Sequence, residues 1–150
     1  MKEIYYTYNN EAISSCIFLS ILNKVDNLDI ARSCLILPFL LDDRTVNLLI
    51  KIQGQKLNLE ELIKEQPRLF VSFNKRYLSL LPITINSLMI LSKGNQIILG
   101  KEITKSESFS FDDSELGERF SKVEKVVPEF LKMLDKYKTP HLYRILKIQL

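Results

Sequence analysis

The stretch that decides the fold runs from Pro67 to Phe111, PRLFVSFNKRYLSLLPITINSLMILSKGNQIILGKEITKSESFSF. Pro67 suits the first turn of a helix, because the amide it lacks has no intrahelical partner there. Leu69, Phe73, Tyr77 and Leu80 or Leu81 then recur on one face at helical spacing. Pro82 removes a backbone donor and crowds the preceding turn, so it ends or kinks that helix. Thr84 or Asn86 caps a further helix, Ile83 to Ser92, which stops at Lys93 and Gly94, with Gly94 as a left-handed terminator. NQIILG, Asn95 to Gly100, reads as a strand, and Ile103 to Phe111 reads as its hairpin partner. Just upstream, Asn58 and Glu61 have the spacing of a capping box and open a short helix to Glu65. Helix, helix, helix, Gly and two strands over residues 58–111 is the order of a winged helix with the hairpin as wing.

Downstream, Leu116, Phe120, Val123, Val127, Phe130, Leu134 and Tyr137 alternate spacings of four and three, a heptad seam. Pro128 interrupts the seam, which predicts two helices meeting there. The segment begins at Ser114, after Asp112 and Asp113, and a short amphipathic stretch, His141 to Leu150, closes the chain. Upstream, Ile4 to Tyr8 reads as a short strand. Asn9 and Asn10 are N-caps for a helix from Ala12 to Val25 that is apolar over most of its circumference and therefore belongs in a core or an interface. Asp26 to Asp29 reads as a polar connector. Ile30 to Leu41 reads as a helix broken at Pro38 or a helix followed by an extended turn, with a buried strand over Leu35 to Leu41 as the competing reading. Asp42 and Asp43 cap a helix from Thr45 to Lys51. The fold class is α+β, mainly α: one domain over residues 1–150, with a winged-helix-like centre at 58–111, a short β-hairpin and C-terminal helices at 114–150.

Composition excludes several classes. Hydrophobic residues are 46% and charged residues 26% of the 150, the proportions of a globular chain rather than a disordered one. Met1 to Asn10 is polar and aromatic, which reads as no secretory signal. No run is long and apolar enough for a spanning helix. A cytoplasmic chain that does not enter a membrane is expected. Cys16 and Cys34 sit among apolar neighbours and read as reduced, buried small hydrophobes. With one His and no Cys-x-x-Cys, no metal site is expected. His141 has no partner in its neighbourhood and reads as a first-turn helix residue. The pairs Asp42–Asp43, Glu60–Glu61 and Asp112–Asp113 each open or precede a predicted helix, where the helix dipole accounts for them. The sequence has no phosphate-binding Gly-rich loop and no triad, so neither catalysis nor a cofactor is expected.

Charge is uneven. Between Arg68 and Lys105 lie Arg68, Lys75, Arg76, Lys93, Lys101 and Lys105 against the single acid Glu102, whereas the whole chain carries only +3. Such a window neutralises phosphates or meets an acidic protein. Ile83 to Ser92 has no Arg, Lys or Gln to offer base edges, so only sequence-independent contact with double-stranded DNA is expected. At the C-terminus, Leu142, Tyr143, Ile145, Leu146, Ile148 and Leu150 make a segment that has to be covered. The two readings are docking on the chain's own heptad stripe, favoured for Leu142, Ile145 and Leu146, and docking on a partner. For the partner reading the candidate contacts are Leu142, Tyr143, Arg144, Lys147 and Ile148, with Tyr143, Arg144 and Lys147 facing outward.

Three stretches carry a family resemblance: YNNEAISSCIFLSILNKV, LILPFLLDDRT and TPHLYRILKIQL, joined by the Phe70 to Leu91 helices and NQIILG. Together they resemble the middle component of bacterial three-component ABC-ATPase systems, which are linked to Lamassu-type defence operons. Departures from the family pattern are Glu11 at a cap that often reads Asn-Pro-Ala, and Lys147 where the closing helix usually has a glycine. The resemblance implies a non-catalytic subunit that bridges or regulates an SMC-like ABC ATPase and an effector in defence against phage and plasmids. The alternative is a free-standing winged-helix regulator that binds DNA, and a small enzyme ranks last.

Overall fold

A computed structural model describes residues 10–113 and 116–150; the strand expected at Ile4 to Tyr8, the cap at Asn9 and the start at Ser114 lie outside the described residues. The chain is mainly helical, with one small antiparallel sheet, and so of the expected α+β class.

Helix α1 spans Glu11–Leu22, and Asn10 opens it by accepting from the Ala12 and Ile13 amides at 3.0 and 3.3 Å. Strand β1, Asn27–Asp29, follows where only a connector was expected. It has a single buried apolar residue, Leu28, and exists through its pairing with a strand far along the chain. Two short helices come next, α2 (Ile30–Ser33) and α3 (Ile36–Leu40), so the strand alternative for Leu35 to Leu41 fails. The break falls at Cys34 and Leu35, not at Pro38 as expected; Pro38 stands in the first turn of α3, where its missing amide costs no helical bond. Helix α4 spans Asp43–Lys51 and is capped by Asp42, which accepts from both the amide and the hydroxyl of Thr45. Helix α5, Leu59–Glu65, has the expected capping box, with Asn58 accepting from the Glu61 amide at 2.8 Å. Helix α6 is the single turn Pro67–Phe70.

Helix α7, Phe73–Lys93, runs unbroken through Pro82, and α8, Glu118–Asp135, runs unbroken through Pro128. The helix end expected at Pro82 and the meeting of two helices expected at Pro128 are therefore corrected, for one reason. Each proline lies on an exposed face, where water is at hand for a carbonyl that loses its amide partner. Gly94 is not the left-handed terminator either, because its φ is −80°. Asn95 takes that conformation, at φ 59°, and the Gln96 amide closes the end by bonding the Leu91 carbonyl at 2.9 Å. The hairpin is shorter than its sequence suggested: β2 is Ile97–Leu99 and β3 is Glu102–Lys105. Helix α9, Thr139–Ile145, closes the fold.

The sheet order is β1-β3-β2, both pairings antiparallel, with Leu28 and Leu99 opposite Ile103. The third strand therefore comes from outside residues 58–111. Helix α1 packs along α7 and α8, α7 along α3, and α8 along α4. Phe39, Phe73 and Phe130 meet at the centre, with Phe39 ring centroids 4.7 Å from Phe73 and 5.2 Å from Phe130. All three are buried, each contributing on the order of 1.5–3 kcal/mol. The heptad seam of α8 supplies much of the rest through Phe120, Val123, Val127 and Leu134.

Candidate functional site

Of the six basic residues singled out from the sequence, Arg68, Lys75, Lys93 and Lys101 are exposed. Arg76 is half-buried. Its guanidinium donates to the Pro38 and Leu69 carbonyls at 3.1 and 2.9 Å and to the Ser72 hydroxyl at 2.8 Å, and it stacks over Phe73. It joins the ends of α3 and α6 to the start of α7. Lys105 is half-buried, 4.0 Å from Asp26 and over the Phe109 ring. Two further arginines work as Arg76 does. Arg32 donates to the Leu134 and Tyr137 carbonyls and the Thr139 hydroxyl, closing the C-terminal end of α8. Arg119 bonds the Leu41 carbonyl and Asp43, holding α8 to α4.

The C-terminal segment docks on its own domain. Leu142 and Leu146 are buried and Ile145 is half-buried against the core. Tyr143 is turned inward rather than outward. Its ring meets Tyr77 edge-on, and its hydroxyl lies 3.2 Å from that of Tyr77 and donates to the Ala31 carbonyl at 2.6 Å. Burial first, and the Tyr77 hydrogen bond next, hold this phenol well above the ordinary tyrosine range. Arg144 and Lys147 are exposed and Ile148 half-buried. Lys147 has φ 57°, the left-handed conformation that favours glycine, and the Ile148 amide bonds the Tyr143 carbonyl behind it.

Among the described residues the reactive side chains do not gather into one cluster. Cys16 and Cys34 are free and half-buried, not fully buried as expected, and burial raises both thiols. His141 lies in the first turn of α9, edge-on to Tyr137. The Glu124 carboxyl is raised, by burial and then by Asp113, and accepts from the Ser20 hydroxyl at 3.3 Å. Among the described residues no group of His, Cys, Asp and Glu is placed to hold a metal ion, and no helix is long and apolar enough to cross a membrane. A groove of about 400 Å³ runs between the end of α4 and α8, floored by Leu49, Phe130 and Met133 and edged by Lys56, Lys132 and Lys136.

The most unusual surface lies on α7. Leu78, Ile85 and Met89 are 49%, 51% and 45% exposed, and Pro82 between them is exposed too. Their spacings are four, three and four, so they form one line down the helix. Ile90 beside them is 54% exposed, and Val71, just before the helix, 84%. Scattered apolar residues on a surface are ordinary, but a contiguous line marks an interaction site. The sequence carries the signal as a second apolar line along α7, beside the buried one through Phe73, Tyr77 and Leu80.

A family model described as ABC-three component (ABC-3C) system Middle Component 3 matches residues 2–149. No curated protein and no solved structure matches the chain.

Proposed function

The chain belongs to the ABC-three component system Middle Component 3 family, and on that premise we propose that it is the non-catalytic subunit that bridges or regulates an SMC-like ABC ATPase and an effector in a bacterial defence complex directed against phage and plasmids. Partnership with the ABC ATPase component follows from the family; the bridging role, the effector and the defence setting are our reading. The observation that carries the reading is the outward apolar line on α7, which leaves the isolated chain with a surface that calls for another chain.

A contact with DNA fits as a second part of this role. Arg68 and Lys101, exposed and outside α7, suit sequence-independent contact with the double-stranded backbone. The sheet order β1-β3-β2, with α1 ahead of β1 and helices α2 to α7 between β1 and β2, supports a winged-helix kinship for the hairpin. The free-standing regulator is the weaker reading, because the exposed face of α7 presents Leu, Ile and Met where a base-reading helix presents polar side chains.

The test is reconstitution of the ATPase and effector with and without this chain, following ATP hydrolysis and effector activity with and without double-stranded DNA. The chain alone is expected to hydrolyse no nucleotide, and its addition to change the ATPase rate or couple it to the effector. An ATPase and effector that behave identically in its absence, or turnover by the pure chain, would overturn the proposal.

A further inference from the structure

We infer that the outward line of α7 receives an amphipathic α-helix of a partner subunit, and that this partner helix carries acidic residues near both of its ends. The inference rests on the middle-subunit reading in needing a partner chain, and goes beyond it in naming the surface and the chemistry that fits it.

The apolar component comes from Leu78, Pro82, Ile85 and Met89. Their 4-3-4 spacing is the knob spacing of a helix–helix seam, which a facing helix fills more completely than a strand or a loop. The charge component comes from the ends. Helix α7 contains no acidic residue among its 21, and Arg76 is engaged with carbonyls inside the fold. The charges left on the outer face are Lys75 and Lys93. They are eighteen positions apart, five whole turns, so they share one azimuth and stand about 27 Å apart along the axis. A cation therefore sits at each end of the apolar line, and an occupant with a carboxylate near each of its own ends is complementary to it. A polar feature marks the middle. Pro82 has no amide, so the Leu78 carbonyl lacks its i+4 donor on this same face and suits a hydroxyl or amide donor from the partner.

The same charges argue against the other occupants. In a parallel pair of two copies Lys75 would face Lys75, and in an antiparallel pair Lys75 would face Lys93; both oppose like charges. A DNA backbone would satisfy the lysines but leave Leu78, Ile85 and Met89 uncovered.

The experiment uses the complex of this chain with its ATPase and effector subunits. One variant combines Leu78→Ser, Ile85→Ser and Met89→Ser; a second combines Lys75→Glu and Lys93→Glu. A third carries a photo-crosslinking amino acid at Ile85. The first two are expected to keep the parent's helical circular dichroism and to bind the complex at least about tenfold more weakly, as loss of an interface hot spot does. The crosslink is expected in a helix of the ATPase or effector flanked by Asp or Glu, and reversing those acids to Lys restores binding of the Lys75→Glu, Lys93→Glu chain. If the serine variant loses its helicity, the lysine variant and the crosslink decide. A crosslink to a second copy, to the chain's own residues 1–9 or to DNA, or a complex indifferent to both variants, overturns the inference alone. If the unsubstituted chain forms no complex at all, the middle-subunit reading falls and this inference with it.

Discussion

At the scale of single residues, what the sequence shows depends on how far a side chain reaches. The caps at Asn10, Asp42 and Asn58 were legible because each accepts from an amide two or three residues on. Arg76 was not: in sequence it is one more cation in a basic window, while in the fold it bonds a carbonyl 38 residues away. Hydrogen bonds to charged groups are worth about 1.5–3 kcal/mol, so Arg76→Ala is expected to lower unfolding stability by roughly that amount, while Lys75→Ala changes it by less than about 0.5 kcal/mol. Urea denaturation of the two variants distinguishes a structural arginine from a surface lysine. Lys147 gives a change of opposite sign. Its left-handed backbone costs a side chain on the order of 1 kcal/mol, so Lys147→Gly is expected to raise the melting temperature. Tyr143 supplies the pH test. Its phenol is raised in the folded state, so its stabilising effect is full below the ordinary tyrosine range and fades as pH rises above it. Spectrophotometric titration is expected to show a tyrosine component that ionises above the ordinary range, and Tyr143→Phe removes that component.

At the scale of elements, the sequence marked helices well and their ends poorly. The α8 seam was legible because its apolar residues fall on one line and that line is the buried one. The helix end expected at Pro82 and the junction expected at Pro128 do not form, because a proline's penalty depends on which face it occupies, and the face is a property of packing. Because Pro82 stands on an exposed face in a continuous helix, Pro82→Ala is expected to leave the fold intact and to stabilise it by about 1–3 kcal/mol, read from thermal unfolding. An unchanged or lower melting temperature would mean that α7 depends on the proline. Strand β1 was illegible because one apolar residue in three carries no period, and its partner β3 begins more than seventy residues later. The C-terminal helix was half legible. Its apolar content required cover, and Leu142 and Leu146 find that cover in the chain's own core. Deleting Leu142 to Leu150 is therefore expected to abolish cooperative unfolding, which circular dichroism during heating would reveal.

At the scale of the whole molecule, the helices close a core around Phe39, Phe73 and Phe130 and still leave an apolar line exposed along α7. The candidate site was the least legible part of the sequence. Charge clustering drew attention to the basic window, but which of its residues reach solvent is decided by contacts between distant segments. The family resemblance fared better, because it rested on patterns spread over the chain, and the family model spans residues 2–149. The most direct measurement is native mass spectrometry of this chain co-expressed with its ATPase and effector subunits. A species containing all three chains, lost when Leu78, Ile85 and Met89 are replaced by serine, is the expected result. A chain that remains separate from both subunits, with its apolar line uncovered, would contradict its place as their middle component.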